Sequence, residues 1–552
     1  MNQRQRFIRK IMYVCAIAVL LLPLSWLSQP ATTDSDGGLL AKMRKDHQLS
    51  QASLGDIDPA SETIKLATLG MRGVAANVLW DKANYYIKVQ DWSSLSATLE
   101  QIARLQPNFI SVWIFQGWNL SYNVSVEFDD YRDRYYWVIK GIDYLKEGTQ
   151  YNTNEPRLLS RIGWTVAQKI GRADEKVQFR RLFREDDEFN GSRPLAQRDN
   201  WLVGREWQQD AERVVATGVP VKGESPLLFY SHAPMYLINY CEALEEDGTF
   251  GEVAKNAWKK AADSWTEYAN RDLPTTYNFP IRLSEKESFV KQSAAAQAEL
   301  KRLTPDGLRE KIAEEKLASL TEKERDAHQT PTDQQTSEQR DTLYAVQNKL
   351  EIPYLEIADR IQGENRAAAL KAAEDATQAD FIARVIDTER ETVNFEYWLL
   401  RCQIEPNDDT LTARKQIYDG ERAFRSAQLI KAKELYTAGL NTWRQVIDTY
   451  PALLNDANGV AELGDSIEHY KSVLHQLDEQ FPQPFMLQDA IDADARYHGV
   501  RIPPGTRPDL QTEPPPADAA QPAPSSPTQS SPTQSDPNAP VTPSTPPQTA
   551  TP

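Results

Sequence analysis

Cysteine is nearly absent: 552 residues carry three, Cys15, Cys241 and Cys402. That scarcity excludes a disulfide-framed fold and the C-x-x-C spacing of zinc or iron–sulfur sites. A single bond between Cys241 and Cys402, which stand 161 residues apart, is left open. Histidine is scarce too, at six residues with no H-x-x-x-H pair, and His469 and His475 point about 120° apart if their segment is helical. No metal is expected. Basic charge is in deficit, 62 against 79 acidic residues for a net charge of -17, and such a surface repels phosphate backbones, so no nucleic-acid partner is expected. Neither Gly37-Gly38 nor Gly70-Met-Arg-Gly73 has the strand context or the Lys-Ser/Thr of a phosphate loop, so no cofactor is expected. Carboxylate pairs such as Asp129/Asp130 and Glu245/Glu246 are too common here to mark acid/base chemistry. The chain is read as not an enzyme.

What is present starts at the N-terminus. Residues 1–10 form a basic stub (Arg4, Arg6, Arg9, Lys10), and residues 11–27 are apolar except for Ser25. Seventeen helical residues rise about 25 Å, just short of a hydrocarbon core of about 30 Å, and Trp26 suits the interfacial belt. No A-x-A cleavage site follows. The segment is expected to be an uncleaved signal anchor in the inner membrane, with the basic end cytoplasmic and the body outside; cleavage would instead secrete the body. Residues 28–60 read as a linker.

From residue 61 to 283 the chain is dense in Trp, Tyr and Gly, and its spacing predicts tetratricopeptide-like helical hairpins. Pro107 closes one hairpin, whose first helix carries Ala83 and Tyr86. Trp113 and Gly117 follow at the spacing required for the next, and Gly163 starts a third after an insertion. The bare glycine lets two helices approach while aromatics fill the gap to the next pair. The register aims Trp80, Asn84 and Ile87, then Ile114, Trp118 and Ser121, at a partner groove. The sequons at Asn119 and Asn123 fall inside this expected buried helix.

Residues 284–375 lose aromatics and read as a charged helical insertion or hinge. It is cut by Thr304-Pro305 and Thr330-Pro331 as helix starts and by capping boxes Thr321-x-x-Glu324 and Thr336-x-x-Gln339. Residues 376–500 form a C-terminal helical domain with two apolar stripes, Phe381 to Leu399 and Leu463 to Phe481. Between them Gly420, Ala432 and Tyr436 keep tetratricopeptide spacings and predict a further hairpin over about 410–450. Residues 501–552 are a Pro/Ser/Thr/Gln tail, expected to be disordered.

The run Leu69-Gly-Met-Arg-Gly-Val-Ala-Ala-Asn-Val-Leu-Trp80, the Leu105-Gln-Pro-Asn-Phe109 corner and Val124-Ser-Val-Glu-Phe-Asp-Asp-Tyr131 resemble a family of membrane-anchored helical envelope proteins from planctomycete bacteria. The resemblance covers most of residues 1–283 and not the tail. Some members carry an "iron-responsive element" label, which the acidic charge and the lack of clustered ligands argue against transferring. The expected protein is all-α, an irregular tetratricopeptide-like hairpin array with one N-terminal transmembrane helix and a disordered tail. It would act as a scaffold for an unidentified protein partner in the envelope; the alternative is an envelope enzyme or glycan binder with an aromatic cleft in a helical toroid.

Overall fold

The computed structural model describes residues 72–498 together with residues 39, 42 and 43. The expected anchor over 11–27, most of the linker and the tail lie outside the described residues. Among the described residues no helix is long and apolar enough to cross a membrane. The described chain is all-α, apart from one two-residue antiparallel pairing of Leu273–Pro274 with Pro280–Ile281. It divides into two compact units between Ser225 and Pro226.

The first unit begins with antiparallel helices α1 (Arg72–Val89) and α2 (Trp92–Leu105), joined through Gln90 at φ 57° and capped by Asp91, which accepts from the Ser94 amide. Ala83 is buried where they meet, and Tyr86 is half-buried. Helix α3 (Ile110–Trp118) runs into a π-helical turn at Asn119–Val124, and α4 (Tyr131–Tyr151) packs back on it. The Pro-Asn corner is fastened to the far end of α4. Trp113 Nε1 donates to the Pro107 carbonyl at 2.7 Å, and Asn152 Nδ2 donates to the same oxygen at 2.9 Å. The Trp113 ring lies over Gly148, where a Cβ would come within 2.9 Å of it, and stacks on Tyr151 at 5.7 Å.

Gly117 marks the crossing of α3 and α4: a Cβ there would sit 2.5 Å from Leu145 Cγ and 3.1 Å from the Gly141 carbonyl. Helix α5 (Pro156–Trp164) also ends in a π-helical turn, Thr165–Lys169, and α6 (Lys176–Glu185) follows. Gly163 faces Gly204 of α7 (Asn200–Ala216), and the carbonyl of each lies 2.7 Å from where a Cβ on the other would stand. The hairpin partner of α5 is therefore α7, with α6 and its buried Phe179 set between them in sequence.

The second unit starts at α8 (Pro226–Glu246), with Pro226 as the first helical residue and Pro234 inside. It pairs with α9 (Glu252–Ala269). The expected boundary at 283/284 is displaced to 225/226, because α9 packs with helices later in the chain: Trp265 stacks on Phe395 at 5.7 Å. Helix α10 (Lys286–Leu303) lies along α15 (Arg366–Thr392), a continuous helix that crosses the expected boundary at 375/376. Between them run α11 (Leu308–Ala318), α12 (Glu322–Gln329), α13 (Ser337–Leu350) and α14 (Tyr354–Arg360).

Thr321 and Thr336 cap α12 and α13 with complete capping boxes, whereas Thr304 and Thr330 close helices instead of starting them. The expected Phe381–Leu399 stripe is buried only in part: Val385 and Phe395 are buried, whereas Phe381 is not. Helix α15 buries Ala369, Ala372, Ala373, Ala376, Ala379 and Ala383, leaves Phe381 37% exposed, and stops before Asn394 at φ 50°. Small side chains allow α10 and α15 to lie close, which a hydrophobicity stripe does not register. Helices α16 (Phe395–Ile404), α17 (Asp408–Arg425), α18 (Leu429–Thr449), α19 (Ala457–Gln476) and α20 (Gln488–His498) complete the unit. The hairpin expected over 410–450 is α17/α18, with buried Ala432 and with Gly420 and Tyr436 in contact across it.

Candidate functional site

Two constellations stand out, one in each unit. In the first, five aromatics form a chain of ring contacts, four of them partly open and the central one, Phe115, buried. Phe109 meets Trp80 at 5.9 Å, Trp80 meets Phe115 at 6.1 Å, Phe115 meets Trp118 at 5.9 Å, and Trp118 stacks on Tyr122 at 6.1 Å. Lys169, at the end of the second π-turn, closes the row with its ammonium 4.7 Å from the Tyr122 ring centre. Burial pushes the Lys169 pKa below its ordinary value, opposed by the charge of Glu175. Phe115 is largely covered; Trp80, Trp118, Tyr122 and Phe109 keep part of their surface open. Beneath Trp118 lies a chain of buried or half-buried amides: Asn123 donates to Asn119 at 2.9 Å, and Asn119 donates to Gln116 at 3.3 Å.

Of the residues aimed at a groove, Trp80 and Trp118 lie in this row, Asn84 is exposed one turn along α1 from Trp80, and Ile87 is half-buried. Ile114 and Ser121 do not line a surface. Ile114 is 6% exposed, and Ser121 is wholly buried against Gly141, its hydroxyl donating to the Val138 carbonyl at 3.4 Å. The face of α3 that carries Gly117 and Ser121 turns toward α4 because the glycine permits the crossing. The partly open residues of this stretch are therefore Trp118 and Tyr122, while Phe115, at 8% exposed, is buried like Ile114. Phe115 and Tyr122 were legible as aromatics at spacings of three and four around Trp118; Lys169 had no sequence signal.

The second constellation joins α8, α9, α16, α17 and α19. Arg401, 8% exposed, donates to Glu242 at 3.0 Å, Glu405 at 3.1 Å, Glu462 at 3.1 Å and the Tyr397 hydroxyl at 3.1 Å, with the Trp258 ring 5.4 Å away. Arg414 binds Glu405 through two nitrogens, reaches Glu462 at 3.1 Å and stands 3.6 Å from Glu245. Four carboxylates thus share two guanidiniums. Glu245 has the longest ion-pair contact in the cluster, and its other oxygen accepts from Trp258 Nε1 at 2.7 Å. Burial drives the Glu245 carboxyl up to about 7, against the pull of Arg414 and with the charge of Glu405 adding to the rise. Loss of water also opposes ionisation of Glu462, yet Arg401 and Arg414 hold it down at about 2. Cys241 and Cys402 are free and buried beside these acids, and burial raises both thiols. The guanidiniums fill the space between the carboxylates, so the cluster is a clamp between helices. In sequence only the Arg401-x-x-x-Glu405 pair hinted at it, since the other members come from distant helices.

The clamp has a pH signature. Glu245 takes up its proton in the folded chain at a pH where the unfolded chain has already lost it. Its contribution therefore disfavours folding increasingly as pH rises from about 4.5 through 7. Glu462 has the opposite sign: its stabilisation is complete above about 4.5 and fades as pH falls toward 2. Glu245→Gln is expected to flatten the stability profile between pH 5 and 8, removing a slope of up to about 1.4 kcal/mol per pH unit, the limit for one proton. Urea unfolding at several pH values measures it; a wild-type profile that rises over this range would contradict it.

Compared with protein-family models the chain finds no match, and compared with curated proteins it finds none.

Proposed function

We propose that this protein is a helical scaffold, anchored through residues 11–27 and displaying its body outside the cytoplasm. On this reading it binds a protein partner on the aromatic row of its first unit. The observation that carries the reading is the row itself: the partly open rings of Phe109, Trp80, Trp118 and Tyr122, linked through buried Phe115 and ending on a cation. Exposed contiguous aromatic surface is costly to leave in water, and Trp and Tyr dominate the energetics of recognition. Gly117, Gly420 and Tyr436 sit at hairpin contacts, which supports the irregular tetratricopeptide-like description, and the planctomycete resemblance is consistent with an envelope setting.

Trp118→Ala is expected to weaken capture of the partner at least tenfold, the loss of a single hot-spot aromatic. In-cell crosslinking followed by mass spectrometry, wild type against variant, measures this. No recurrent protein in the wild-type crosslinks would overturn the reading, and recovery of wall glycan in its place would favour the glycan-binding alternative.

A further inference from the structure

Helix α1 has an open face that is complementary to itself. The helix buries Ala76 and Ala83 on the side it packs on its neighbours. On the other side Val74, Val78, Tyr85 and Val89 are each more than half exposed, and Asp81 and Lys82 stand exposed among them. At about 100° per residue these six positions fall in one sector about 100° wide, away from Ala76 and Ala83, and from Val74 to Val89 the stripe runs about 22 Å. A scattered exposed valine is ordinary. Three valines and a tyrosine in line on one helix face form a continuous apolar strip, the kind of surface that marks an interface.

The order along the stripe names the occupant. Read from either end it gives a valine, an apolar residue four positions on and a charge three beyond that: Val74, Val78, Asp81 from one end and Val89, Tyr85, Lys82 from the other. A second copy laid antiparallel about a two-fold axis between residues 81 and 82 sets Val74 against Val89, Val78 against Tyr85 and Asp81 against Lys82, each contact made twice. Intervals of three and four are those at which side chains of two neighbouring helices interdigitate. The parallel alignment sets Asp81 on Asp81 and Lys82 on Lys82, so repulsion rejects it. Trp80 lies about 150° around α1 from the middle of the stripe, so the aromatic row belongs to another surface and this inference does not depend on it.

We propose that α1 is the contact of a homodimer, in which two copies of this chain pair antiparallel through Val74, Val78, Tyr85 and Val89, with Asp81 of each against Lys82 of the other. A single helix pair buries less than the ~1,200 Å² of a standard interface, so the dimer is reversible, with a Kd of about 1–100 µM.

Sedimentation velocity of the purified full-length chain over a concentration series tests it. The wild type should self-associate, and Val78→Asp and Asp81→Lys should each weaken the association at least tenfold. Both positions are exposed, so the helical body is left intact, which an unchanged far-UV circular dichroism spectrum checks. Mixing is the sharper arm. Asp81→Lys alone gathers only lysines at the centre of the pair and Lys82→Asp alone only aspartates, and each should associate weakly. A one-to-one mixture of the two should recover the wild-type affinity, because every lysine then faces an aspartate. A wild-type chain that is monomeric at about 100 µM overturns the inference. So does association indifferent to both replacements, or a mixture that associates no better than its components.

Discussion

Replacing Arg401 by Met is expected to destabilise the second unit by about 3–5 kcal/mol, the usual cost of removing one member of a buried ionic cluster. The size comes from what is left behind more than from what is lost. Glu405 is buried at 2% exposure and Glu242 is partly buried, and both would lose a guanidinium partner inside the fold. Arg414 would remain, already holding Glu405 by two nitrogens. The side chain of Met can take the path of the arginine stem over Trp258, so packing is largely conserved and the change reports electrostatics. Urea unfolding of the full chain, monitored by far-UV circular dichroism, gives the difference from the shift in midpoint at unchanged slope. A loss below about 1 kcal/mol would show that Arg401 is replaceable and the clamp incidental. A companion variant sharpens the point: Arg401→Met with Glu405→Gln should recover part of the loss, because one orphaned charge goes with its partner.

The second large effect is at a close helix crossing of the first unit. Gly163→Ala is expected to cost about 1–3 kcal/mol, although alanine favours helix over glycine by about 1 kcal/mol. The added Cβ would stand 2.7 Å from the Gly204 carbonyl and 3.2 Å from the Gln208 amide nitrogen. Both obstacles are backbone atoms, so no rotamer change relieves them and α5 must move away from α7. Gly204→Ala meets the Gly163 carbonyl at 2.7 Å and should behave alike. The double variant should lose less than the sum of the two, since the first replacement has already opened the crossing. Gly73→Ala is the control: its Cβ would approach nothing nearer than Gln106 Nε2 at 4.0 Å, and no loss is expected. Thermal unfolding of the four chains decides it; a neutral Gly163→Ala would mean that the two helices are not locked at this distance.

Much of the fold was legible because it is local. Pro107, Trp113 and Gly117 announced a corner and a crossing, and the structure shows why those residue types are needed: an indole to reach the Pro107 carbonyl, and a bare Cα beneath Leu145. The capping boxes at Thr321 and Thr336 were equally readable, since their hydrogen bonds close within four residues. Reading failed where one face had to be chosen over another by a distant neighbour. Ser121 went inside because α4 presents Gly141 to it. Helix α15 buried its alanines because α10 lies along it, and Phe381 was left partly exposed while Val385 of the same stripe went inside.

The sequence by itself determined the all-α class, the hairpin over 410–450, the capped helices of the middle and the aromatic wealth around Trp118, since helix propensity, capping and spacing act over a few residues. Only the tertiary structure decided which aromatics join into a row, that Gly163 meets Gly204, and that Arg401 and Arg414 collect four glutamates spread along the chain from Glu242 to Glu462. Long-range contacts are set by packing and by the cost of burying charge, and neither leaves a period in the sequence.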